Sequence, residues 1–351
     1  MNEIAFLKQL LSIPSPSGEE DAVAGYLVEQ MTMLGFRTRR DRAGNVIGEV
    51  GDPGSRRTIV LLGHMDTVPG HVPIRQRGNR LYGRGAVDAK GPLAAFVLAA
   101  ARVARQPNTA RVMVIGAVEE ENHSRGAHHL VHALPPPDYA IVGEPGGWEG
   151  ITLGYKGVLS LEYRLARPAG HHAGERPPPV EEAIAFWNRL VDYAAALNRE
   201  RSRRFDTLDP ILRAIHTSGD GLEERVEMSI RLQLPPGVDV TALQELMQTW
   251  CDGAKLTCPY DEPPFWGEKN TPPVHALLRA IRAEGGRPRF KLKTGTSDMN
   301  VVGPVWRCPI VAYGPGDSSL DHTPDEHVDV QEFRRAVEVL TRALETLCNA
   351  G

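Results

Sequence analysis

Apolar positions recur at helical spacing over residues 3–13 and 18–35, with a Pro/Ser/Gly break at 14–18 between the two segments. Residues 36–50 read as a hairpin around Ala43-Gly44-Asn45. The run TIVLLG at 58–63 is uniformly apolar and of strand length, which predicts a strand buried on both faces. An Ala-rich helix is predicted over 93–104, a second buried strand over 111–118 (RVMVIGAV) and a third over 139–142 (YAIV). Short apolar strands alternating with helices predict an α/β fold with a mostly parallel sheet.

The pattern changes near residue 156. Residues 158–165 alternate like a half-exposed strand, 180–197 read as a helix, and 226–234 alternate again. Pro235-Pro236-Gly237 then turns the chain into a helix over 240–251, and 256–260 closes the unit. This order predicts a small α+β module at 156–262, inserted in a larger domain made of 1–155 and 263–351. The α/β pattern returns as a helix at 273–283, a strand at 308–313 and a helix at 330–348. The length agrees with two domains: 351 residues exceed the span that one core covers, roughly 250–300 residues.

Composition changes this picture little. Apolar residues make up 41%, charged residues 24%, and the net charge is −4. Nothing in that balance points to nucleic acid or membrane as a partner. No apolar run is long enough to span a bilayer, and the first residues lack the marks of a signal peptide, so a cytoplasmic enzyme is expected. Cys251, Cys258, Cys308 and Cys348 form no disulfide framework, and Cys251 and Cys258 lack the His partner of a zinc site.

Candidate chemistry gathers at the ends of the predicted strands. His64 and Asp66 follow the first buried strand, and a carboxylate two residues from an imidazole can fix its ring orientation. The rival reading is a capped turn. Gly83-Arg84-Gly85-Ala86-Val87-Asp88-Ala89-Lys90-Gly91 places three glycines around one Asp, and an Asp held on such a turn can bridge two metals or cap the next helix. It matches neither phosphate-loop pattern. Glu119-Glu120-Glu121 ends the second buried strand; three adjacent acids repel unless cations are near. A solvated acidic run rarely caps a buried strand. Glu144 follows the third strand, and a Gly-rich loop leads to His322. A lone His is more often structural than a ligand, but these five groups all sit at strand ends.

In this order, HMDTVP, GRGAVDAKG, the Glu pair, VGEP and the late His resemble the zinc peptidase and deacylase family that includes acetylornithine deacetylase and succinyl-diaminopimelate desuccinylase. The likeness covers almost the whole chain. GRGAVDAKGPLA, GEPGGWEGITLGYKG and KTGTSDMNVV narrow it to members that release lysine or ornithine from an acidic amino-group carrier protein. The resemblance implies two zinc ions per subunit, with cobalt able to substitute. His64 and Glu144 would hold one ion, Glu120 and His322 the other, and Asp88 would bridge them. Asp66 would orient His64, and Glu119 would be the general base. The insertion would be a ferredoxin-like lid and dimerisation domain of a homodimer. Its His171, with His172 as the rival, would reach across to the reacting carbonyl. Arg231, Gly295, Thr296 and Ser297 would hold a substrate carboxylate. The family's Asp before its Glu pair is Val118 here, and the extra Glu121 leaves the register open by one, so Glu120 and Glu121 could exchange roles. Arg199, Arg201, Arg203 and Arg204 form the basic cluster expected to meet the carrier. A small N-acyl amino acid deacylase, a dipeptidase and a silent metal- or peptide-binding relative are the alternative readings.

Overall fold

A computed structural model describes residues 2–105, 110–170 and 177–349. The chain divides into two compact units: Met1–Gly154 with Trp266–Leu292 and Ser297–Gly351, and Tyr155–Phe265 with Lys293–Thr296.

The first unit opens with helices α1 (Glu3–Leu11) and α2 (Asp21–Met33). Asn2 starts α1, its side-chain oxygen accepting from the N–H groups of Ile4 and Ala5. A hairpin of β1 (Arg37–Arg40) and β2 (Val46–Gly51) follows. Its turn is tied by Asp41, which accepts from the N–H groups of Ala43 and Asn45. Next come β3 (Arg57–His64), β4 (Arg75–Arg77), β5 (Arg80–Tyr82), α3 (Lys90–Val103), β6 (Ala110–Ala117), α4 (Arg125–Ala133), β7 (Tyr139–Val142) and β8 (Gly150–Tyr155).

The second unit runs β9 (Gly157–Pro168), α5 (Pro179–Asn198), β10 (Asp209–Gly219), β11 (Glu223–Leu234), α6 (Val240–Gln248) and β12 (Lys255–Glu262). Its four strands form an antiparallel sheet in the order β10-β11-β9-β12. Alternate residues of β9 and β11, such as Leu161, Tyr163, Met228 and Ile230, pack on Phe186, Leu190 and Leu243 of the helices. The strand β10 has no counterpart in the sequence pattern. It is an edge strand with no fully buried residue, so it carries no apolar alternation to read.

The chain re-enters the first unit through β13 (Phe265–Trp266), α7 (Pro272–Ala283), β14 (Arg289–Lys293), α8 (Asp298–Trp306), β15 (Ile310–Ala312), β16 (His327–Asp329) and α9 (Val330–Asn349). The main sheet has the order β1-β2-β6-β3-β7-β15-β8-β13, with β14 on β8. Its centre, β6-β3-β7-β15, is parallel. The flanking pairs β1–β2, β2–β6 and β15–β8 are antiparallel. The parallel centre explains the uniformly apolar strands: Ile59, Leu61, Val112, Val114 and Ile141 are all buried with helices over the sheet. The helix α3 is buried along its length, and its Leu93 lies against Gly63 of β3, where an added Cβ would sit 3.4 Å from the Leu93 side chain. Loops leaving the C-terminal ends of β3, β6, β7 and β15 therefore emerge side by side, where open α/β sheets put their sites.

Leu61 has no solvent exposure at the centre of this sheet. Leu61→Ala is expected to destabilise the first unit by about 2–5 kcal/mol through the cavity it leaves. Urea unfolding checks this.

Candidate metal centre

His64 is the last residue of β3 and is buried. Its Nδ1 lies 3.3 Å from Asp66 Oδ1 and 3.1 Å from the Asp66 carbonyl, which turns Nε2 toward Asp88 Oδ1 at 3.2 Å. The other oxygen of Asp88, Oδ2, lies 3.1 Å from His322 Nε2. One carboxylate thus stands between two imidazoles, one at each oxygen. His322 Nε2 also lies 2.8 Å from Glu121 Oε1, and Glu120 Oε2 is 4.0 Å from His64 Nε2. Donor atoms of Asp88, Glu121 and His322 all fall within 4.8 Å of one another. Glu144, two residues past β7, is buried and close enough to Glu120 to disfavour its charge.

Asp66 organises this cluster from below. It is fully buried and accepts from Ser17 Oγ at 2.7 Å and from the N–H groups of Glu120 and Glu121 at 3.1 Å each. Burial disfavours its charge, yet its pKa is lowered, because His64, Ser17 and the Glu121 N–H hydrogen-bond to the carboxylate. Glu326 does the same for the opposite loop. It is fully buried; its Oε1 accepts from the N–H groups of Val87 and Asp88 at 3.0 and 3.2 Å, and its Oε2 takes Arg84 Nη1 at 2.8 Å. His322 and Glu326 share one loop, so this acid ties the His322 segment to the Asp88 turn. The turn is tight: a Cβ on Gly91 would lie 2.3 Å from the Ala86 carbonyl oxygen, and Gly85 has φ +82°. Lys90 secures the turn from inside, its Nζ donating to the Ile13 carbonyl at 2.6 Å.

The cluster is electrostatically frustrated without a cation. Burial, with Glu144, Glu121 and Asp298 nearby, holds the Glu120 carboxyl well above its usual pKa, and burial and Asp88 raise Glu121. Bonds from Asp88 and Glu121 push His322 up to about 10. Burial opposes protonation of His64, but Asp66 and Asp88 outweigh it and raise its pKa well above normal. Asp298, at the first turn of α8, is buried, and burial raises its carboxyl to about 6. The two imidazoles and grouped carboxylates match the donor chemistry of a divalent ion.

Sequence expectations and geometry part company at the acidic run. The backbone at Glu119 turns into the left-handed region, φ +57°, and sends its side chain outward. There Glu119 Oε1 accepts from Arg125 Nε at 2.6 Å. The residue expected to be the base is therefore outside the cluster, and Glu121 rather than Glu120 meets His322 and Asp88. The third acid of the run shifts the register by one. Ser297 is also committed elsewhere: its hydroxyl accepts from the Met299 N–H in the capping box of α8. Arg231 and Thr296 lie in the second unit and are hydrogen-bonded to each other at 3.0 Å, with Gly295 exposed beside Thr296. His171 and His172 lie outside the described residues. Sequence reasoning gave no role to Glu326 or Ser17. Glu326 alone carried a signal, an acid four residues past a candidate ligand.

Residues 60–346 match the family model for peptidase family M20/M25/M40. The chain belongs to peptidase family M20. A relative from Deinococcus radiodurans, "[LysW]-lysine hydrolase", is 42% identical over 97% of this chain and 96% of its own length. Among solved structures, the M20 family metallo-carboxypeptidase Sso-CP2 from Sulfolobus solfataricus is similar with a TM-score of 0.81 and 19% identity, covering 99% of both chains. The Bacillus subtilis YXEP protein, a dinuclear metal binding peptidase of the M20 family, is similar with a TM-score of 0.69 and 14% identity over 99% of this chain and 98% of its own. These two likenesses concern the fold. In this M20 chain acids and imidazoles are grouped in a pattern that suits divalent metal.

Two outcomes test the centre. Metal ligation needs neutral imidazoles and ionised carboxylates, and His64, His322, Glu120 and Glu121 all have raised pKa values, so protons compete with metal here. Adding zinc to the metal-free chain in weak buffer should therefore release protons, and affinity should fall as pH falls; an indicator dye reads the release. Glu326→Ala should weaken metal binding about 10–100-fold, with Glu326→Gln intermediate because one oxygen can still accept from the Val87 and Asp88 amides. Competition with a chromogenic chelator measures both.

Proposed function

We propose that this chain hydrolyses the amide joining lysine to the γ-glutamyl C-terminus of the amino-group carrier protein LysW. The observation that carries the chemistry is Asp88 between His64 and His322, with Glu120 and Glu121 turned inward beside it. The full-length relative named for this reaction supports the substrate.

In this reading His64, Asp88 and Glu144 would hold one zinc ion, and Asp88, Glu121 and His322 would hold a second; cobalt could substitute. Bound there, the pair would polarise the scissile carbonyl and bring the pKa of an attacking water near 7. Glu120 is the general base. Its carboxylate, 4.0 Å from His64 Nε2, is placed to take a proton from water and hand it to the leaving amine. Asp66 keeps the proton of His64 on Nδ1 and leaves Nε2 free to ligate. Arg231 offers a two-pronged partner for the lysine carboxylate. The second unit serves as lid and dimer contact of a homodimer, in keeping with Ile211 and Leu212 exposed on its edge strand β10.

Glu120→Gln is expected to retain metal and lose about 10²–10⁴-fold in kcat, whereas Glu119→Gln should keep most of its turnover. Metal analysis with steady-state kinetics separates these, and the reverse ranking would return the base to Glu119. A panel of carrier-linked lysine, carrier-linked ornithine, acetyl-lysine, acetylornithine and succinyl-diaminopimelate, with and without chelator, tests the substrate. The first should be cleaved most efficiently and chelator should stop it.

A further inference from the structure

The strand β14 is an exposed edge strand of the main sheet. It hydrogen-bonds with β8 alone, and among the described residues nothing pairs with its other edge. Arg289 N–H donates to the Glu149 carbonyl and the Lys293 carbonyl accepts from Lys156 N–H, so those residues face inward. Strand alternation then turns the N–H and C=O groups of Phe290 and Leu292 to the open edge. Both side chains are exposed, at 42% and 39%. An exposed apolar strand with an open edge is a template for another extended chain unless charge or cover protects it.

The charge on this strand has one sign. Residues 287–293 read RPRFKLK, four cations and no acid, in a chain whose net charge is −4. Lys269 adds a fifth, its Nζ 5.2 Å from the centre of the Phe290 ring. Arg287, Arg289 and Lys291 are exposed and form no ion pair among the described residues. Glu149, just before β8, accepts from the Arg287 backbone N–H at 2.6 Å. The arginine cluster of the second unit is less available, since Arg203 pairs with Asp206 at 2.6 Å and Arg201 donates to the Asp206 carbonyl. β14 also leads toward the chemistry: five residues past its end, Asp298 is buried close enough to His64 and Glu120 to share their electrostatics.

We propose that the open edge of β14 docks an extended acidic segment of the protein substrate, the residues just upstream of the scissile amide, by strand addition. This rests on the reading that the substrate is carried on a protein. The Phe290 and Leu292 backbone groups supply the ladder, and Arg287, Arg289, Lys291 and Lys269 meet the acidic side chains. No bond is made or broken at this surface. It serves to thread the tail toward the metal centre.

The test uses zinc-loaded protein and three probes: an eight-residue peptide with four glutamates ending in γ-glutamyl-lysine, the same peptide with serine in place of those glutamates, and the γ-glutamyl-lysine dipeptide. Binding of the labelled peptides is read by fluorescence anisotropy in the Glu120→Gln background, which blocks turnover. Arg289→Glu with Lys291→Glu should weaken the acidic peptide at least tenfold, flatten its salt dependence and leave the serine peptide within about threefold. Leu292→Pro, which removes one outward N–H, should weaken both peptides. In the wild-type background all variants should cleave the dipeptide within twofold of the unmodified enzyme. Unchanged peptide affinity in the charge variant, an equal loss on the dipeptide, or a change in oligomeric state by light scattering without a change in peptide affinity would each overturn the docking surface. The last would assign the edge to a second copy of the chain. Failure of the wild-type enzyme to cleave any γ-glutamyl-lysine probe would instead sink the substrate reading, while the binding arm would still decide the docking.

Discussion

The site depends on one buried carboxylate. Asp66 has no solvent exposure, and an ionised acid in that position is costly unless every lone pair is used. It is used on all sides: by the His64 ring, the Ser17 hydroxyl and the N–H groups of Glu120 and Glu121. Those bonds are also what shape the centre. The same anion that sets the tautomer of His64 holds the acidic loop after β6 in place and aims two of its three side chains inward. Three chain segments (the break before α2, the end of β3 and the end of β6) are thus registered to one another through a single side chain.

A second buried acid performs the matching task on the far side. Glu326 receives the amides of Val87 and Asp88 and the guanidinium of Arg84, which holds the bridging carboxylate where both imidazoles reach it. The two clamps share a logic. Each carboxylate binds backbone N–H groups of a loop that carries side chains of the cluster, and each connects that loop to a neighbouring segment. A cluster of like charges is held together against its own repulsion by such clamps, and burial together with that repulsion raises the pKa values of Glu120, Glu121 and Asp298.

Much of the scaffold was legible in the chain. The strands at 58–63, 111–118 and 139–142 appear as β3, β6 and β7 because a strand covered on both faces must be apolar throughout. The alternating runs of the second unit appear as β9 and β11 because one face is solvated. The exposed β10 left no such trace, since residues that face water on both sides are not selected for a period.

The chain alone determined which chemical groups stand at which strand ends: His64, the acidic run, Glu144 and the late His322. This follows because parallel strands read as apolar blocks and the polar residues after each block are plain to see. Only the tertiary structure decided which of three consecutive acids enters the centre. Glu119, Glu120 and Glu121 are the same residue type in one run, and their roles differ only through the left-handed turn at Glu119, the pull of Arg125 and the two amides fixed by Asp66. Those partners lie from six to more than fifty residues away along the chain, and folding alone brings them together.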